Sequence, residues 1–94
     1  MREAGPRDAL ITGIGLVSSL GEGVAAHRAA LAAGRPVLDA ASFAPWAVHP
    51  MVALDYDRLI PKRGDQRQME PWQRIGTYAA GLALESAGIR GDAE

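Results

Sequence analysis

Cysteine is missing from the chain, which excludes disulfides, thiolate metal sites and thiol nucleophiles from its 94 residues. Histidine is scarce: with only His27 and His49, a metal site would be short of ligands, and none is expected. Charge of either sign is nearly balanced. The formal net charge of -1 gives the molecule no overall pull toward nucleic acid or an anionic membrane. Long apolar runs are also missing, since nothing approaches the roughly 18 residues that span a bilayer. The N-terminal "MREAGPRDAL" carries mixed charge and lacks the apolar region of a secretory signal. Together these absences predict a cytoplasmic protein with no nucleic acid or membrane partner and no cofactor. Lysine occurs once, at Lys62, and the other basic residues are arginines.

What is present is globular in composition, at 48% hydrophobic and 22% charged residues, and amounts to one small domain at most. Residues 9–12 hold the β-branched pair Ile11 and Thr12 before Gly13, a pattern that predicts a short buried strand. Residues 22–33 are alanine-rich and are followed by Gly34 and Pro36, which predicts a first helix with a glycine stop. Its face is interrupted, because Arg28 falls between Val24 and Leu31, with His27 beside it. Residues 35–70 read as an irregular loop with four prolines, in which only "MVALD" at 51–55 has the character of a strand. A loop of that length is uncommon in a small domain and predicts packing against something outside the chain.

The second helix is the best marked. Pro71 suits its first turn, Gly88 its end, and Trp72, Ile75, Ala79, Leu82 and Ser86 recur at helical spacing. A row of small residues, Gly76, Ala80, Ala83 and Ala87, lies beside that stripe and would admit another backbone. Such a helix needs cover on more than one side.

Gly13 and Gly15 follow the first apolar run, where a dinucleotide fingerprint would stand. That fingerprint needs a third glycine three positions on and an acidic residue about 20 positions later. Ser18 stands at the third position, Gly21 comes late, and Asp39 follows Pro36 with no strand before it. The structural reading gives Gly13, Gly15 and Gly21 to the turn that leaves the strand and enters the first helix.

The run "ALITGIGLVSSLGEGVAAHRAALAAGRPV" resembles the N-terminus of the β-ketoacyl-acyl-carrier-protein synthases, the condensing enzymes of fatty acid and polyketide synthesis. That family has T-G-x-G at the end of a strand, then V-S-P-x-G, then a helix closing in L-x-A-G-R. Ser19 replaces the family proline, and His27 and Arg28 stand where bulky aromatics are common. A second run, "IPKRGDQRQMEPWQRIGTYAAGLALESAGI", is similar to the family's basic loop, methionine and alanine-rich helix. The resemblance covers about residues 9–89 and implies an α/β chain, the N-terminal portion of a thiolase-like layered α/β/α/β/α fold, with no complete domain in residues 1–94.

The family reaction, by this resemblance, loads an acyl group onto a cysteine and condenses it with a decarboxylated malonyl thioester, assisted by two histidines. None of these three residues has a counterpart here, so no catalytic residue is assigned and the chain alone is expected to be inactive. The resemblance further implies an acyl carrier protein as partner. Its basic loop, often K-x-x-R-K-M in the family, matches Arg67 and Met69, with Gly64 and Gln68 at the lysine positions and Lys62 and Arg63 just upstream. An ordinary solvated charge cluster fits the same three cations. Family members are commonly homodimers, and stranded apolar faces predict self-association or docking with the remainder of a ketosynthase. Two other classes stay open: a non-catalytic ketosynthase-like partner subunit, and a small nucleotide-binding α/β module. Arg63-Gly64-Asp65 also spells a cell-adhesion tripeptide, which is read as chance.

Overall fold

A strand exists only when a neighbour completes its hydrogen-bond ladder, and this decides how the N-terminal half folds. The computed structural model describes residue 3 and residues 5–89. The only paired strands among them are β1 (Val17–Ser18) and β2 (Gly21–Glu22), an antiparallel hairpin with Val17 opposite Glu22 and Ser18 opposite Gly21. Gly21 lies at φ 136°, a backbone setting that excludes most side chains. The hairpin feeds α1 (Val24–Ala33), which ends where Gly34 turns left-handed at φ 67° and donates its N–H to the carbonyls of Ala30 and Leu31. This is the predicted glycine stop.

Residues 9–12 do not form the expected buried strand. They belong to no regular element and make no backbone hydrogen bond to a described residue, with Leu10 67% and Ile11 87% exposed. The β-branched residues are present, but the described chain supplies no second strand for them to pair with. The segment is held from the side instead. Ile14 donates its N–H to Ser86 Oγ at 3.2 Å, and Gly13 and Gly15 lie against α4 (Pro71–Ser86).

Residues 35–70 are likewise more ordered than a loop. Asp39 and Val48 exchange backbone hydrogen bonds at 2.8 and 2.9 Å and close a side loop. The Asp39 carboxylate accepts the N–H groups of Ala41 and Ser42 at 3.0 Å, and the Ser42 hydroxyl, first, and then these two N–H groups hold its carboxyl below the usual range. Residues 51–55 form no strand, although the Val52 N–H reaches the Ser18 carbonyl at 3.4 Å. Two short helices follow, α2 (Tyr56–Leu59) and α3 (Arg63–Gln68). Gln66 ties them by donating from Nε2 to the Ile60 carbonyl at 2.6 Å and to Asp57 Oδ1 at 2.9 Å.

α4 begins at Pro71, as the sequence predicts, with the Gln73 side chain accepting the Glu70 N–H at 2.7 Å. It carries the core. Tyr78 is 1% exposed and meets Tyr56 edge-on at 6.0 Å, and Ile60 at 4% is the other buried apolar side chain among the described residues. The predicted stripe is correct for Ile75, Ala79 and Leu82, which are half-buried, and wrong for Trp72, which is 70% exposed. The small-residue row is also used in part. Ala83 and Ala87 receive Gly13, and Ala79 and Ala83 receive Gly15, whereas a Cβ on Gly76 would meet nothing.

The result is an open body. Its radius of gyration is 16.7 Å, against about 12 Å for a compact domain of this length. Its accessible surface is 7679 Å², where about 5200 Å² is usual for this mass.

Candidate functional site

The three cations implied as a carrier-protein patch sit at α3. Lys62 precedes the helix, Arg63 opens it and Arg67 lies in its last turn. They are exposed and occupy a short helix rather than a loop. Arg63 is already engaged, since its Nη2 donates to Asp57 Oδ2 at 3.2 Å. The Gln66 amide, first, and then Arg63 hold the Asp57 carboxyl below its usual range. Lys62 and Arg67 make no ion pair with a described residue.

Beside them runs an open groove of about 580 Å³ between α3 and the start of α4, with Met69, Trp72 and Gly76 on its apolar side and Asp65 on its rim. α3 thus carries charge of both signs, Asp65 between Arg63 and Arg67.

Gly13, Gly15 and Gly21 divide into two roles. Gly21 opens β2 opposite Ser18, directly after the turn at Ser19 and Leu20, and has positive φ. Gly13 and Gly15 lie in no turn, and neither has positive φ. A Cβ on Gly15 would overlap the Ala79 carbonyl oxygen and stand 2.7 Å from the Ala83 nitrogen. A Cβ on Gly13 would overlap the Ala83 carbonyl oxygen and stand 2.7 Å from the Ala87 nitrogen. Close backbone approach, not turning, is what requires glycine there.

Two constellations escape sequence reasoning. In the first, Arg58 of α2 donates to both Glu85 oxygens at 2.9 and 3.0 Å, to Glu22 Oε1 at 2.8 Å and to the Tyr78 hydroxyl at 3.2 Å. The Tyr78 O–H donates in turn to Glu22 Oε1 at 2.6 Å. That bond, ahead of Arg58, lowers the Glu22 pKa, while burial and then Glu22 raise that of Tyr78. Arg58 is pushed up by Tyr78 first, then Glu85 and Glu22. The group joins β2, α2 and α4, and it is a fastening rather than a reaction centre, because both Nη groups of Arg58 and the Tyr78 hydroxyl are committed to partners within it.

The second constellation pairs Ser18 of β1 with His27 of α1, Oγ to Nε2 at 2.7 Å. The pattern that could have exposed it is a serine at a hairpin edge and a histidine one turn into the following helix. No group of three or more His, Cys, Asp or Glu residues that could hold a metal occurs among the described residues, and no described helix is long and apolar enough to cross a membrane.

Helices and a two-stranded sheet make this a mixed α/β chain. No family model matches it, and neither a curated protein nor a solved structure is found to be similar.

Proposed function

We propose that the chain is the N-terminal part of a β-ketoacyl-acyl-carrier-protein synthase, which joins acyl and malonyl thioesters by decarboxylative condensation in fatty acid or polyketide synthesis. The sequence runs around Gly13–Gly15 and Arg67–Met69 suggest the family. The observation that carries the reading is segment 9–12: its Leu10 and Ile11 side chains lie bare, yet Gly13 and Gly15 hold the adjoining chain hard against α4. A segment of strand-forming residues anchored beside a helix with its apolar side chains bare suits one layer of an α/β arrangement, in which a neighbouring layer would cover those side chains. The excess surface supports the same reading. The cysteine and two histidines of the condensation would come from the neighbouring layers, and this part contributes scaffold plus Lys62 and Arg67 for an acidic carrier protein.

The test is to read the coding DNA beyond Glu94 and express the longest in-frame product with its carrier protein. A continuation with a nucleophilic cysteine and two later histidines, and condensation of acyl and malonyl carrier-protein thioesters, is expected. A stop codon after Glu94, together with a monodisperse monomer that melts cooperatively, would overturn the proposal.

A further inference from the structure

A serine hydroxyl becomes a nucleophile when an imidazole accepts its proton and a third group fixes the ring. Ser18 and His27 have that arrangement. His27 Nδ1 lies 2.7 Å from the Gly23 carbonyl oxygen, which can only accept, so Nδ1 carries the proton. Nε2 is then the acceptor, and the Ser18 hydroxyl at 2.7 Å donates to it. The Leu20 N–H, which donates to Ser18 Oγ at 3.1 Å, fixes the oxygen from the other side. Both side chains are half-buried.

Ser18 also forms part of the wall of a cavity of about 460 Å³, bounded by Leu20, Leu31, Pro36, Arg35 and His49. The lining is mainly aliphatic, with one guanidinium. His49 is held by its own bond, Nδ1 to the Val37 carbonyl at 3.0 Å.

We propose that Ser18 and His27 form a nucleophile and general base for acyl transfer, and that the cavity takes an ester or thioester of a short aliphatic acid. Oγ bonds to the acyl carbon as its proton passes to His27 Nε2, and the bond to the leaving alcohol or thiol breaks as that group takes the proton. Water then adds to the acyl carbon with His27 taking its proton, the bond to Oγ breaks, and the proton returns to Oγ. Arg35 also lines the cavity and is its one cation. The inference is independent of the synthase reading.

The test treats the 94-residue chain with a fluorophosphonate probe, which bonds through phosphorus to an activated serine and expels fluoride, and maps the adduct by mass spectrometry. Expected are an adduct at Ser18 in the folded chain, none in urea, none at that position in Ser18→Ala, and labelling slowed about 100-fold in His27→Gln. Hydrolysis of p-nitrophenyl butyrate should fall in parallel. Circular dichroism shows whether each variant folds. If one does not, the contrast between folded and urea-treated wild type decides. No adduct at Ser18, equal labelling in urea, or an undiminished rate in a folded His27→Gln variant would overturn the proposal.

Discussion

Replacing Gly15 with alanine adds one methyl group and should undo much of the N-terminal packing. The new Cβ would overlap the Ala79 carbonyl oxygen and stand 2.7 Å from the Ala83 nitrogen and 2.9 Å from the Ala79 carbonyl carbon. All three atoms belong to the α4 backbone, so no side chain can rotate out of the way. The segment must lift from the helix. Overpacking costs about 1–3 kcal/mol, and a clash with helical backbone belongs at the upper end. A chain of this length has about 5–14 kcal/mol of stability in all, and one with two buried apolar side chains among its described residues has little in reserve. At about 4–8 °C per kcal/mol, a loss of about 2–3 kcal/mol lowers Tm by roughly 10–20 °C. Gly76→Ala in the same helix is the internal control, because its Cβ meets nothing within 4 Å. There the gain in helix propensity should stabilise by about 0.5–1 kcal/mol. Thermal unfolding followed by far-ultraviolet circular dichroism, at two protein concentrations, measures both. A Gly15→Ala melt within a couple of degrees of wild type, or two variants shifting in the same direction, would refute the close-approach argument.

Tyr78→Phe removes a donor from Glu22 and an acceptor from Arg58 and should cost about 1–2 kcal/mol, below the full worth of a charge-assisted bond because water can replace part of it. The folded Glu22 pKa lies below its usual 4.5. Its contribution is therefore complete above that value and lost as pH falls through the folded pKa, so urea titrations of wild type and variant should converge on acidification; a constant gap would remove Glu22 from the account. On the proposed synthase reading, Arg67→Glu in the longest in-frame product should weaken carrier-protein binding about fivefold at low salt, with a shallower salt dependence; an unchanged affinity and salt slope would exclude Arg67. Leu10→Gln with Ile11→Gln should reduce self-association in sedimentation velocity while moving stability by no more than about 0.5 kcal/mol, since both side chains are exposed; unchanged sedimentation would show that another face drives association.

The sequence marks what depends on neighbours along the chain. Gly34 and Pro71 locate the ends of α1 and α4 because capping is decided within a few residues. α2 and α3 are invisible for the complementary reason: "YDRL" and "RGDQRQ" are too short to show a period, and Gly64 inside α3 argues against a helix. Residues 9–12 read as a strand because the residue types are right, but pairing is a property of two segments. The cations at α3 were legible as types. Their division into a committed Arg63 and unengaged Lys62 and Arg67 depends on Asp57, which no motif includes. The Tyr78–Glu22 bond spans 56 positions and the Arg58–Glu85 bond 27, and nothing local at either end announces it. Gly13 and Gly15 were noticed for their spacing, while their purpose lies in the backbone of a helix more than sixty positions away.

Arg58 bears on how the sequence can drift. Its planar fork meets Glu22, Tyr78 and Glu85 at once, a geometry that the single ammonium of lysine cannot reproduce. The four positions are thus bound into one unit of inheritance: a descendant that alters one keeps the hairpin, α2 and α4 together only by compensating at the others. Homologous chains should vary at these sites in concert, even where the surrounding surface has diverged beyond alignment.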